Sequence, residues 1–574
     1  MNQRPLFIRL LKPTLNILIG LAVLSSSGTG GCAKLFPEDP LALTIPPEQL
    51  QASEPLDLRA SAEDKPQTLD QAKEAINKNL EQSETTGEGE SGGESGGDSG
   101  GEITLSLAEV RAATLEGNLD LQVQLFNPTL SQTSVNAEEA KFESTFSASA
   151  RRSVFDSPTV VSTAGSSVTS EDLSVGLTIP LRTGGTTTIT LPVNRTETNN
   201  PFATLNPSVN SDLSFRIQQP LLRGAGPRVN THSIRIQKYN LRISEAQTKI
   251  EAIRVLAGAD RAYWNLYAAH RELEVRFQQY KLARELRDKA QRKVDLGAGT
   301  RIEVTRAESG MAARIESIII ARTNVRRLQR DLKRIMNRDD LPLDSPTRLV
   351  LETEAVPPVG LRLDPRRLAD HAIENRMEML QLELQIAQDA STLDFNRNAR
   401  LPSVALDFTY NISGLGSTFG NSFNQLGDKN FEDWIFGLNA SIPLGNEAAK
   451  AGVHRAILQR LQRLATKEQQ ELAIRQEVYN AVDTLEQNWQ RIVAASYASD
   501  LAEETYQAEL RQFSVGQRTS TDVLDAATEL ANAQLSEINA LTQYRIAEVN
   551  IAFATGTLLG ANRIQWEPVA MPTE

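Results

Sequence analysis

Two short stretches decide the fold of this chain: Leu296-Gly297-Ala298-Gly299-Thr300-Arg301-Ile302-Glu303-Val304 and Val515-Gly516-Gln517-Arg518-Thr519-Ser520-Thr521-Asp522-Val523. In each, glycine supplies the left-handed residue that closes a helix. A threonine then stands where the next helix would be capped, with an acid three residues on, as in a capping box. Each stretch therefore reads as a tight turn between two helices. Upstream of the turns, from about Arg228 to Leu296 and from about Glu447 to Val515, the chain has no proline. At 1.5 Å per residue, roughly 69 residues give a helix on the order of 100 Å long. The apolar spacing is heptad-like: Ile243, Ile250, Ala257 and Trp264 step by seven, and Val478, Val482, Leu485, Trp489 and Ile492 step by four and three. The tryptophans in these seams read as packing. A returning helix of about 36 residues follows each turn.

Further outward the same order recurs. Ser106 precedes LAEVRAATLEGNLDLQV, and Asp364 precedes PRRLADHAIENRMEMLQL, with Pro365 suited to the first helical position. These helix starts align at an offset of 258, pairing Glu116 with Glu374 and Leu121 with Met379. The turns align at an offset of 219, which still pairs Asn337 with Gly556. Between helix start and long arm lie strands of period two: Leu173 to Leu181, Ile189 to Val193, Leu213 to Ile217, Val404 to Ile412 and Trp434 to Leu444. An apolar face of this kind is core in a sandwich and faces lipid in an outer-membrane barrel. Strand pattern alone fits the sandwich better; the long arms reverse that preference.

The ends are different in kind. Residues 1–32 resemble an export signal, with Arg4, Arg9 and Lys12 before an apolar core, Leu15 to Leu24, too short to span a bilayer as a helix. The single cysteine, Cys32, sits where a bacterial lipoprotein signal carries its lipidated residue, although Thr29 stands where Leu is usual. The alternative is an unlipidated cysteine near the mature end. Residues 33–102 are Pro-, Ser-, Glu- and Gly-rich and read as an acidic tether. They hold 16 acids and 5 bases, nearly all of the chain's net charge of -12. Residues 227–340 hold 25 bases and 14 acids, whereas 447–560 hold 10 and 15, so the two arms have opposite sign.

This ordering resembles the TolC-like outer membrane efflux protein family over about residues 103–565. The two interhelical turns, the VLDAATELANAQ run from Val523, and the exits Gln219-Pro220-Leu221 and Ile442-Pro443-Leu444-Gly445 carry the resemblance. It implies a mixed α and β fold: a trimeric outer-membrane β-barrel continued by a long α-helical coiled-coil periplasmic tunnel, built from two structural repeats per chain. Residues 103–340 would form the first helix-strand-long-helix repeat, 341–565 the second and 566–574 a tail. The implied function is the outer-membrane channel of a tripartite efflux or type I secretion system, working passively with a periplasmic adaptor (membrane fusion protein) and an inner-membrane pump. The alternative is a lipid-anchored coiled-coil envelope scaffold without transport.

The resemblance also assigns residues. Leu296, Gly297, Thr300, Val515, Gly516 and Thr519 would be adaptor-docking tips, although Gly and Thr also suffice simply to build a turn. Asp522 and Asp525 match the acids lining the closed aperture. Glu303 matches an acid that pairs with an arginine across the arms, Arg518 matches that arginine, and Phe513 holds the neighbouring aromatic position, where a hydroxyl is typical. A solvated, capped helix start is the plain reading of the same residues.

One departure stands out. From strand start to Pro-Leu exit, Phe146 to Pro220 is 74 residues, against 39 from Val404 to Pro443. The excess holds one more hairpin, joined near Gly184-Gly185. It either stands above the barrel, the arrangement we favour from sequence, or enters it and raises the strand count from twelve to eighteen. No enzymatic constellation is present: there is no HExxH, phosphate-binding Gly-Lys loop or GxSxG, and one Cys with four His offers neither a disulfide framework nor a ready metal site. The histidines, at 232, 270, 371 and 454, read as ordinary helix-surface residues. No cofactor is expected, and the acidity argues against nucleic-acid binding.

Overall fold

A computed structural model describes residues 101–564, apart from 161–164, 298, 356–358 and 563. The export signal with Cys32, the tether as far as residue 100 and the tail 566–574 lie outside the described residues. Glu102, placed in the tether from sequence, already belongs to a strand, β1 (Glu102–Leu105). Helix α1 (Leu107–Gly117) opens with the expected cap: Ser106 Oγ accepts from Glu109 N at 3.3 Å, and Glu109 Oε2 accepts from Ser106 N at 2.8 Å. The helix breaks at Asn118, whose side chain caps α2 (Leu119–Glu139). Four strands follow: β2 (Thr145–Asp156), β3 (Ser167–Pro180), β4 (Thr186–Thr198) and β5 (Ser208–Pro220). The 64-residue α3 (His232–Asp295) and the 36-residue α4 (Arg301–Met336) form the first arm.

After β6 (Arg348–Leu351), α5 (Pro365–Asn375) starts with the Asp364 carboxylate accepting from the backbone N–H groups of Arg366 and Arg367. It breaks at Arg376, 258 residues after Asn118, and α6 (Met377–Ala399) continues. Then come β7 (Ser403–Gly416), the short α7 (Phe419–Gly427) and β8 (Glu432–Ser441). The second arm is α8 (Glu447–Ser514), 68 residues, and α9 (Ser520–Ala554), 35 residues. At both turns the glycine is left-handed, φ 72° at Gly297 and 82° at Gly516. The residues paired at the far ends of the returning helices, Asn337 and Gly556, are left-handed too, φ 45° and 71°.

The strands form one antiparallel sheet in the order β2-β3-β4-β5-β7-β8. The additional hairpin, β3 and β4, is therefore not above the sheet but inside it, between β2 and β5. The reason is its alternation. One row crosses all six strands as Phe146, Leu177, Ile189, Phe215, Tyr410 and Trp434. The adjacent row, on the opposite face, reads Ser147, Gly176, Thr190, Ser214, Asn411 and Asp433. A hairpin with the same two faces and the same register continues the sheet at no penalty, because its apolar side chains join an apolar face already present.

A separate parallel pair, β1 with β6, joins early and middle chain beside the arms. Here Tyr263 is fully buried; its hydroxyl donates to the Leu105 carbonyl at 3.3 Å and accepts from Thr353 N at 3.0 Å. Around it pack Trp264, Leu332, Met336 and Leu349. Nearby, the wholly buried Asp260 takes both oxygens to Arg111, at 2.7 and 2.9 Å. Burial still holds its carboxyl above the usual range, outweighing the arginine. His270 departs from the sequence reading: its Nε2 is buried without a partner, and burial pushes its pKa down to about 4. His232 is stacked on Phe395 at 4.7 Å. Among the described residues no helix is long and apolar enough to cross a membrane, and no group of side chains is placed to hold a metal.

Candidate docking tips and gate

The candidate site is built at the turn ends of the arms, where α3, α8 and α9 converge on a cluster of Leu286, Tyr506, Phe513, Val523, Ala527 and Leu530. Packing there fixes the turns but leaves their apolar points bare. Leu296 is 83% exposed and Val515 71%. Gly297, Thr300, Gly516 and Thr519 are exposed beside them. The two turns are not equivalent. In the second, Thr519 Oγ1 accepts from Asp522 N at 3.4 Å and Asp522 Oδ2 accepts from Thr519 N at 2.9 Å, a complete capping box. In the first, the Thr300 side chain makes no cap bond, and only its carbonyl accepts from Glu303 N, at 3.1 Å. The expected first capping box is thus absent, because Glu303 and Thr300 engage through backbone alone.

The aperture candidates divide accordingly. Asp522 has its carboxylate turned into the cap, and the Thr519 backbone N–H and hydroxyl hold its pKa below the usual range. Asp525, one turn on, is exposed. Arg518 does not meet Glu303 within the chain. Its Nε lies 3.1 Å from Glu509 Oε2 and donates to Gln512 Oε1 at 3.1 Å, both on the last turns of α8.

Phe513 is 2% exposed and meets a residue that sequence reading passed over. Lys293, near the end of α3, places its ammonium 3.7 Å from the Phe513 ring centroid and donates to the Phe513 carbonyl at 2.7 Å. One cation thus binds an aromatic face and the C-terminal end of a helix, both favourable for positive charge. It ties the first arm to the second. A cation pairing with a ring in another arm leaves no pattern in the chain itself; the one available signal was Phe where a hydroxyl is typical. Further up, Arg314 donates to Thr528 Oγ1 at 2.6 Å and Arg261 to Asn550 Oδ1 at 2.9 Å. At these crossings the basic first arm meets neutral acceptors of the second rather than its acids.

Residues 368–557 match the family described as Outer membrane efflux protein. The chain is 23% identical to the outer membrane efflux protein BepC of Brucella suis over 364 residues, covering 62% of this chain and 75% of that protein. It is 31% identical to the outer membrane protein TolC of Salmonella enteritidis over 194 residues, 32% of this chain and 38% of that one. In fold it resembles the Campylobacter jejuni CmeC outer membrane channel, with TM-score 0.57, 15% identity, and 79% and 86% of the two chains covered. It also resembles the open Neisseria gonorrhoeae MtrE outer membrane channel, with TM-score 0.55, 18% identity, and 79% and 89% covered. At such identities the structural likenesses speak for the fold alone, and the sequence matches add a likeness to outer membrane efflux proteins. Arms, sheet, turns and sequence agree in one likeness: the chain resembles the TolC-like outer membrane efflux proteins, and residues 368–557 match that family.

Proposed function

We propose that three copies of this chain form the outer-membrane channel of a tripartite efflux or type I secretion system, a passive conduit that performs no chemistry. The observation that carries the reading is the six-stranded sheet with one apolar and one polar face, open at both edges and joined to two arms of about 100 Å. Along β2 and β8 nearly every residue is exposed, so both edge strands present unpaired backbone. No such edge is tolerated in lipid, and closure with other copies removes it. Because each chain supplies an even number of strands, the joint between β8 and a neighbouring β2 is also antiparallel. Three copies then give eighteen strands rather than twelve. With strands about 4.8 Å apart and tilted about 40°, the barrel radius rises from about 12 Å to about 18 Å.

In this assembly the arms form the periplasmic tunnel and the turns are its tips. Leu296, Gly297, Thr300, Val515, Gly516 and Thr519 meet the periplasmic adaptor, which links the channel to an inner-membrane pump. Asp522 and Asp525 ring the aperture, and a Glu303–Arg518 contact is made between protomers. The chain is read as two repeats, 103–340 and 341–565, preceded by an export signal and a tether, and Cys32 carries the lipid anchor. Imaging of the detergent-purified protein tests the assembly, which should have three protomers and six strands from each. A stable monomer that gives no conductance in planar bilayers overturns the reading.

A further inference from the structure

Helix α7 lies between β7 and β8, apart from the arms. It begins with Thr418 Oγ1 accepting from Asn421 N and packs onto the sheet at the end of β7. Its Ser422 hydroxyl hydrogen-bonds to the Gly414 carbonyl oxygen and the Ser211 hydroxyl, each at 2.8 Å. Gln425 Oε1 accepts from Leu415 N at 2.6 Å. The fit requires two glycines of β7: a Cβ on Gly414 would stand 2.2 Å from Ser422 O, and one on Gly416 would stand 2.6 Å from Ser422 N.

Register identifies the face. Gly414 and Gly416 share parity with Phe408, Tyr410 and Ile412, and Ser211 shares parity with Leu213 and Phe215. The helix is therefore seated on the apolar face of the sheet, beyond the last apolar rows and over Val209 and Ser211, which are buried. In the row that holds Val209 and Gly416, the other strands carry Arg195, Glu171 and Arg152. Arg195 pairs with Glu171 at 3.2 Å and Glu197 at 3.0 Å, and Arg152 with Glu171 at 3.6 Å. Charged side chains are costly on a lipid-facing surface and cheap at its boundary, so this row marks where hydrocarbon ends. The helix occupies the same level on the remaining strands.

Its own chemistry fits that level. Phe419, Ser422, Phe423 and Leu426 fall on one arc of the helix. Ser422 is buried in the sheet, while Phe419 and Phe423 remain 48% and 40% exposed. Asn421, Asn424 and Gln425 lie on the other side, and the helix contains no charge. An amphipathic helix with aromatic residues on one face is suited to the membrane interface.

We propose that α7 is an interfacial helix whose Phe419 and Phe423 enter the outer leaflet at its hydrocarbon–headgroup boundary, fixing the depth of the barrel. The occupant is membrane lipid, and the proposal rests on the barrel reading above. The test is spin labelling of the full-length protein in phosphatidylethanolamine–phosphatidylglycerol vesicles, with single cysteines introduced as Phe408→Cys, Phe419→Cys, Phe423→Cys and Asn424→Cys. The labelled parent, which retains Cys32, supplies the blank. Collisions with oxygen should exceed those with a water-soluble nickel complex at 419 and 423, as at 408 in the apolar rows, and the order should reverse at 424. Labels at 419 and 423 that favour the nickel complex, with 408 in lipid, overturn the helix proposal and spare the barrel. So do labels reached by neither reagent, which would place the helix between subunits. A label at 408 that favours nickel overturns the barrel reading itself.

Discussion

If Lys293 clasps the arms, removing its charge should open the tip. Lys293→Met keeps the aliphatic stem against α8 and removes both the cation over the Phe513 ring and the donor to its carbonyl. The cation–π contact, half-exposed, is worth about 1 kcal/mol. A hydrogen bond from a charged donor contributes about 1.5 kcal/mol when well formed. The two share one ammonium and do not add fully, so about 2 kcal/mol per protomer is a reasonable total. If that contact is lost as the tip opens, the open-to-closed ratio should rise about 30-fold for each protomer released. Recording single channels of the purified protein in planar bilayers measures this ratio directly. Arg518→Ala should act in the same direction, because it frees the last turns of α8. An open probability in Lys293→Met equal to that of the parent refutes the clasp, provided Arg518→Ala shifts it. Phe513→Tyr should leave the clasp intact, since the ring and carbonyl are retained.

Other expectations follow from the same contacts. Arg111→Ala strands the buried Asp260 carboxylate and should cost about 3–5 kcal/mol, read as a lower midpoint in denaturant. Asp260→Asn in that background should recover part of the loss. His270 binds its proton more weakly folded, at about 4, than unfolded, at about 6.5. The unfolded state therefore holds more protons below pH 6.5, and up to about 3 kcal/mol of stability is lost as pH falls from 6.5 to about 4. Denaturation of His270→Gln across that range should be flatter than the parent's. At the proposed aperture, Asp522→Asn together with Asp525→Asn should weaken block by multivalent cations from the tip side. Asparagine is the informative replacement at 522 because it removes charge while keeping a capping oxygen for Thr519 N. Gly516→Val should destabilise the second turn by about 1–2 kcal/mol, since φ is 82° there, and should weaken adaptor capture in a pull-down.

What could be read from the chain alone depended on whether the signal was local. Helix ends were legible because caps are local: Ser106, Asp364, Thr519, Gly297 and Gly516 all act within a few residues of themselves. The strands were legible from alternation, but alternation does not say where a hairpin sits. Leu173 to Val193 reads the same above a sheet or inside it; only the register of Leu177 between Phe146 and Ile189 decides. Side-chain partners across arms were the least legible. Arg518 has an acid within the chain's own sequence pattern at Glu303, yet it turns to Glu509 and Gln512, which are closer along α8 and cost less chain ordering. Lys293 reaches instead over 220 residues to Phe513. The proposed gate thus rests on side-chain contacts between distant segments, whereas the turn that carries it rests on local backbone. The glycine-threonine tips are constrained by backbone geometry; the contacts that hold the tips together need only place some cation near some acceptor.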